Sequence, residues 1–352
     1  MKILYLYADL KGYQIPIFKE YVKRSGVEVH VIHWNYCRSN SYRLPAISGI
    51  FYYNRSNYSV KQLKEFVIKL SPQIVYISGW MDKGYLRAAR LLRNRGIPIV
   101  AGFDDIWWKT LKQRIASLLF PFAKSKFFSH AWVAGPYQYE FAKRLGFKNT
   151  EIIFNCLSAD TELFNSAYYR SIIKKRDCYP HRFIYVGRFE YVKGVDILVQ
   201  AWNKLKTRAL TKDWELCVIG NGSLYNYISK FPDIEIVDYL QPKDLANKIE
   251  KYGCFVLASR KEQWSLVIHE FSAAGFPIIC SDVCGAAAIF LTNKYNGYTF
   301  RSESIEDLKN KMVNIINSTN YELVKMAEKS HLMGQKITPE MSAFNFLSIL
   351  ND

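Results

Sequence analysis

The chain has 352 residues, with 48 Lys and Arg against 31 Asp and Glu, a formal net charge of +17, and is 49% hydrophobic and 22% charged. That composition excludes a disordered chain, and the length suffices for two ordinary domains with their own cores. The charge points to nucleic acid, a phosphorylated ligand or an anionic membrane surface, or else to a lysine-rich solvated face; charge alone does not choose among them.

In chain order the first half alternates apolar runs with helical segments. The strand candidates are KILYLYA, VEVHVIHW, GIFYYN, QIVYISG, IPIVAGF, HAWVAG and TEIIFN, with helical stretches such as KQLKEFVIKL and GYLRAARLLRNR between them. Short apolar runs separated by helices predict a parallel sheet covered on both faces. From about Ser158 to Pro180 the chain is polar and basic without a sustained period, which reads as a linker. The alternation then resumes with RFIYVG, WELCVIG, DIEIV, CFVLAS and PIICS, and the end of the chain reads as helical. Two βαβ arrays predict an α/β protein of two Rossmann-like, doubly wound domains. The default ligand site is a cleft at the carboxyl ends of their strands.

The seven cysteines (Cys37, Cys156, Cys178, Cys217, Cys254, Cys280 and Cys284) are odd in number and irregular in spacing. Without a CxxC framework they read as free thiols of a reducing compartment, several packed as small hydrophobes. No run reaches the ~18 apolar residues of a membrane span, and MKILYLYADLKGY lacks a cleavage site. The expectation is a cytoplasmic protein, soluble or peripheral.

Three stretches carry chemistry. In YVGRFEYVKGVDIL a strand ends at Gly187, and Arg188 and Lys193 put two cations near the helix start at Gly194. Backbone N–H groups and two cations make a diphosphate site, though a turn with incidental surface charges reads equally well. VIGNGSL places Gly220 and Gly222 after a strand, a weak signal that a tight turn also explains. CFVLASRKEQWSLVIHEFSAAGFPIICSD reads strand, loop, helix, turn, strand, with Ser265 as N-cap, Glu262 in the loop and Glu270 in the second helical turn. Helix-dipole favouring of acids explains Glu262 but not Glu270. Two carboxylates beside a phosphate-binding helix start suit a nucleotide with ribose and sugar hydroxyls.

Together these stretches resemble the retaining glycosyltransferases of the two-domain GT-B fold, and within them glycosyltransferase family 4. The E-x7-E signature, followed by A-G-x-P and a strand, matches Glu262, Glu270 and Ala274-Gly275-Phe276-Pro277; the G-R…K-G motif matches Gly187-Arg188 and Lys193-Gly194. The resemblance covers the C-terminal half firmly and the N-terminal half in element order only.

It implies two Rossmann-like domains with a cleft between them: an acceptor domain over 1–165, to which a helix of about 335–352 returns, and a nucleotide-sugar domain over 180–334. It further implies that Arg188 and Lys193 hold the donor diphosphate and that Glu270 binds the ribose. Glu262 would lie beside the transferred sugar. Gly12, Gly187 and Gly220 would approach the donor, the backbone of Ser265, Leu266 and Val267 would meet the phosphates, and Tyr239 and Leu240 would flank the base. No metal or other cofactor is implied, and UDP-linked donors are favoured over GDP-linked ones.

This sequence departs from the pattern at several positions. Relatives carry Gly at Ser265, Gly-Gly at Lys11-Gly12, Asn-Gly at Asn155-Cys156 and His-Asp at the strand end that here reads Phe103-Asp104-Asp105. Asp104 or Asp105 is the nearest polar substitute for that His near the donor sugar; the pair also reads as an N-cap for the following helix.

Between Trp107 and Phe128, Trp107, Trp108, Leu111, Ile115, Leu118, Leu119 and Phe122 alternate with Lys109, Lys112, Arg114, Lys124 and Lys126, without an acid. Such a segment reads as a membrane-surface helix or as a domain helix with its apolar face in the core. The membrane reading makes the acceptor a lipid-linked oligosaccharide or a lipopolysaccharide, capsule or O-antigen precursor. Two other readings are a nucleotide-sugar 2-epimerase of the same fold and a basic nucleic-acid-binding protein; no recognition motif supports the latter.

Overall fold

The computed structural model describes residues 1–10, 12–34 and 44–351, so Lys11 and Cys37 lie outside the described residues. The chain forms two compact units, Met1–Ser158 with Ile337–Asp352, and Ala159–Lys336.

The first unit holds β1 (Lys2–Tyr7), α1 (Ile15–Val22), β2 (Glu28–His33), β3 (Ile50–Asn54), α2 (Val60–Leu70), β4 (Ile74–Ile77), α3 (Lys83–Arg93), β5 (Ile99–Phe103), α4 (Leu111–Leu119), β6 (His130–Val133), α5 (Pro136–Arg144) and β7 (Ile152–Phe154). Its sheet is parallel, in the order β3-β2-β1-β4-β5-β6-β7. The inner strands read as unbroken apolar runs because helices cover both faces. A late segment completes this core: Phe346 is buried and stacks on Trp132, with ring centroids 4.9 Å apart.

The second unit holds α6 (Thr161–Asp177), β8 (Arg182–Val186), α7 (Val195–Thr207), β9 (Glu215–Ile219), α8 (Tyr225–Ile228), β10 (Ile234–Val237), α9 (Pro242–Lys248), β11 (Cys254–Leu257), α10 (Leu266–Ala273), β12 (Ile278–Ser281), α11 (Ala287–Phe290), β13 (Gly297–Phe300), α12 (Ile305–Asn317) and α13 (Asn320–Gly334). The helix carrying Phe346, α14 (Pro339–Ser348), follows and belongs to the first unit. The second sheet is parallel, in the order β10-β9-β8-β11-β12-β13. The strand order reverses between β8 and β11, so their loops diverge and leave a crevice at the carboxyl edge of the sheet.

The segment expected as a linker is α6, a 17-residue helix of the second unit. Asp160 caps it, accepting from the Leu163 N–H at 3.2 Å. Phe164, Ala167, Tyr168, Ser171, Ile172 and Lys175 are buried at helical spacing. The stripe was hidden because Ser171 and Lys175 count as polar, although Lys175 lays its ammonium 3.9 Å from the Phe276 ring centroid. The boundary therefore falls at Ser158–Ala159, and the second unit begins well before residue 180. The edge strand β13 had no counterpart among the expected strands; GYTF is short and half-buried at its middle, so it lacks an apolar run.

A linker would tolerate loss of Phe164, whereas a packed α6 does not. Phe164→Ala is expected to destabilise the second unit by about 3–5 kcal/mol, read by urea unfolding followed through tryptophan fluorescence.

Candidate functional site

The site is built on the carboxyl edge of the second sheet, from the loops after β8 and β11 on either side of the reversal. After β8 the chain passes Gly187 and Arg188, makes a 3-10 turn over Tyr191–Lys193 and enters α7 from Gly194. Gly194 has φ +64°, and a Cβ there would stand 1.8 Å from the Ala258 carbonyl oxygen. Only glycine lets the two loops touch. On the other side, a Cβ at Gly220 would meet the Gly187 carbonyl oxygen at 2.0 Å, so the G-x-G after β9 is a packing requirement rather than a loose turn.

That contact brings charges together. Lys193 Nζ lies 2.6 Å from Glu262 Oε2, and the Ser259 hydroxyl donates to the same oxygen at 3.1 Å. Glu262 is only 8% exposed, and a backbone bridge to Cys284 holds it down. The carboxylate expected beside a transferred sugar is the buried partner of Lys193. Its burial follows from that bridge, which pins the loop after β11 to the loop after β12. Arg188 is exposed, with no ion pair among the described residues.

Arg260 was not among the residues the motifs singled out. Its guanidinium forks onto Asp196 at 2.8 and 2.7 Å, donates to the Tyr191 carbonyl at 2.6 Å and lies 3.7 Å above the Tyr191 ring. It positions the Tyr191–Lys193 turn against the loop after β11 through a rigid planar fork. Arg260 follows a strand and Asp196 opens a helix, but their pairing is tertiary and leaves no local signal in the sequence. Glu190 accepts from the Ser223 hydroxyl at 2.8 Å and ties in the loop after β9.

Helix α10 starts in the same place. Ser265 occupies its N-cap position, yet its side chain makes no capping hydrogen bond because the residue is left-handed, with φ +74°. This is the position where the family pattern has Gly, and the conformation explains that preference. The first N–H groups of the helix, Leu266 and Val267, have no acceptor within it and carry its positive end.

One turn further, Glu270 is half-buried. Burial first, and the charge of Asp160 second, push its carboxyl up to about 7. The Tyr239 phenol is raised by burial and then by the Glu270 charge; Tyr239 and Leu240 lie in the loop after β10. His269 is structural: its Nδ1 accepts from the Ala159 N–H at 3.0 Å, and its Nε2 donates to the Gly334 carbonyl at 2.9 Å.

Structure therefore groups Gly187, Arg188, Lys193, Gly220, Tyr239, Leu240, Glu262, Ser265, Leu266, Val267 and Glu270 along one sheet edge. Gly12, Asp104 and Asp105 belong to the first unit, Gly12 after β1 and the two acids after β5. The acids do not cap the next helix: Thr110 does, accepting from the Gln113 N–H at 3.3 Å. Gln138 Nε2 donates to the Asp104 carbonyl at 3.0 Å, and the Asp104 charge is felt at the Tyr7 and Tyr13 phenols. Among the described residues no three His, Cys, Asp or Glu side chains cluster to hold a metal ion. Cys156, Cys178, Cys217, Cys254, Cys280 and Cys284 are free thiols.

Against known proteins, residues 174–333 match the family described as glycosyl transferases group 1. An uncharacterized glycosyltransferase of Methanocaldococcus jannaschii is 32% identical over 141 residues, 38% of this chain and 38% of that protein, so the match spans about two fifths of either. The fold of the whole chain is that of the Anabaena protein HepE, solved in complex with UDP (TM-score 0.73, 14% identity, 100% of both chains). It is also that of WaaG, a glycosyltransferase involved in lipopolysaccharide biosynthesis (TM-score 0.68, 14% identity, 97% of this chain and 98% of that one). Both are two-domain GT-B structures, so this chain has the GT-B fold.

The raised Glu270 carboxyl makes stability depend on pH. Its folded value of about 7 stands above the ~4.3 of an unfolded Glu. The contribution is therefore fully present below the unfolded value and is lost as pH rises through the folded one. Relative to the Glu270→Gln protein, the wild type is expected to lose about 1–3 kcal/mol between pH 5 and pH 8, measured as the change in urea midpoint.

Proposed function

We propose that this chain, which through residues 174–333 belongs to the group 1 glycosyl transferases, moves a sugar from a nucleotide diphosphate to an acceptor hydroxyl with retention of configuration at C1. The observation that carries the reading is the grouping of Arg188 and Lys193 beside the start of α10 at the strand-order reversal, with Glu270 one turn in.

In this reading Arg188 and Lys193 hold the diphosphate, and the N–H groups of Ser265, Leu266 and Val267 donate to its remaining oxygens as a helix start does for an anion. Glu262 acts on the phosphate through Lys193. A 2.6 Å pair with a buried carboxylate fixes the ammonium in place, so its charge is aimed before the donor arrives. Glu270 accepts from the ribose hydroxyls, Tyr239 and Leu240 flank the base, and a UDP-linked donor fits because the UDP-bound HepE shares the fold.

As the bond from C1 to the phosphate oxygen breaks, negative charge grows on the leaving diphosphate, where two cations and a helix start meet it without a metal. The acceptor oxygen bonds C1 on the face the phosphate leaves, and its proton passes to a phosphate oxygen. Asp104 or Asp105 takes the place of the His of the family pattern, and no cofactor takes part.

We take the acceptor to be a lipid-linked oligosaccharide or a lipopolysaccharide, capsule or O-antigen precursor, met on the cytoplasmic face of a membrane. The basic, apolar segment 107–128 and the likeness to WaaG support this. No helix among the described residues is long and apolar enough to cross a membrane.

Two measurements test the reading. UDP is expected to raise the melting temperature of the wild type in a thermal-shift assay, and Arg188→Ala to abolish that rise; a full shift in the variant would remove Arg188 from the site. With a turnover assay in hand, the proton NMR coupling at C1 of the product is expected to show the donor's own anomer, and inversion would overturn the mechanism.

A further inference from the structure

Helix α4 buries none of its residues. At about 100° per residue, Leu118, Leu111, Ile115 and Leu119 fall on a single arc, with Arg114 on one margin and Lys112 on the other. Leu111 is 74% exposed, Ile115 51%, Leu118 69% and Leu119 61%, and Phe122 in the following turn is 81% exposed.

The opposite side faces the protein. Gln113 Nε2 donates to the Ile106 carbonyl at 2.7 Å, its Oε1 accepts from the Trp108 N–H at 2.8 Å, and Ala116 and Phe120 pack on the core of the first unit. The polar amide turns inward and the leucines turn out, the inverse of a helix made for water. Trp107 and Trp108 do not share this face; Trp107 packs on the core, beneath the Arg144 guanidinium. Lys124 is withdrawn as well, buried in an ion pair with Glu151. Lys109, Lys112, Arg114 and Lys126 remain exposed.

We propose that α4 and the turn after it dock the protein on an anionic lipid bilayer. Leu111, Ile115, Leu118, Leu119 and Phe122 enter the acyl boundary, while Lys109, Lys112, Arg114 and Lys126 meet the lipid phosphates. Charge selects this occupant over a second copy of the chain, which would bring the same cations face to face without an acid between Trp107 and Phe128. The inference names the surface on which the lipid-linked acceptor of the preceding reading would be met, but docking needs no turnover, so either can fail without the other.

The test is co-sedimentation of the full chain with vesicles of phosphatidylcholine containing phosphatidylglycerol, against vesicles of phosphatidylcholine alone. Binding to the anionic vesicles is expected to be about tenfold or more stronger, and to weaken with added salt. Leu118→Glu with Phe122→Glu is expected to lower it at least about tenfold while leaving the UDP thermal shift unchanged, because both side chains are exposed. Equal sedimentation of that variant, or none of the wild type at low salt, overturns the proposal. A dimer seen by light scattering and dissolved by the two glutamates, without vesicle binding, assigns the face to a second copy.

Discussion

The carbonyl of Ala258 occupies the space that a side chain at residue 194 would need. This contact between the loops after β8 and β11 is the constraint from which the second unit's site follows. It lets the two loops close over the point where the strand order reverses, and it brings Lys193 within 2.6 Å of Glu262. Arg260 locks the same two loops by its fork onto Asp196 and its seat on the Tyr191 ring. Without close approach there, α7 and α10 would present their starts to different places. The electrostatics depend on it too: a buried carboxylate beside an ammonium is tolerable only at hydrogen-bond distance.

The two acids of the E-x7-E spacing divide their work by environment. Glu262 sits in a loop pinned by Cys284 and is spent on a cation of its own chain. Glu270 sits on a helix and has no ion pair among the described residues; the charges it feels and exerts involve Asp160 and the Tyr239 phenol. Burial and like charge therefore raise its carboxyl and favour the protonated form. Residues alike in the sequence pattern differ in what they can do.

The strands of both sheets were legible because parallel sheets covered on both faces bury unbroken apolar runs. What escaped was whatever tertiary contact decides. Helix α6 hides its stripe behind Ser171 and Lys175, and β13 is an edge strand too short to show a pattern. Gly187-Arg188, Lys193-Gly194 and the spaced glutamates pointed to the candidate site because their offsets match the family pattern. Arg260 and Asp196 stayed silent, because a fork across 64 residues leaves no local trace. The left-handed Ser265 was visible only as a departure from glycine. For α4, composition showed an apolar, basic helix but not which side faced the protein; that required Gln113, Ala116 and Phe120 to be seen turned inward.

The stacking of Phe346 on Trp132 has a consequence for how the chain comes into being. Synthesis finishes the first unit's seven strands by Phe154, yet a ring that belongs to their core is encoded after the entire second unit. At ribosomal rates that gap of roughly 190 residues lasts about 10–40 s. During that interval Tyr5, Tyr76 and Trp132 must wait with one wall of their aromatic cluster missing. The unit that begins the chain is thus the last to close, and the second unit can be complete before it.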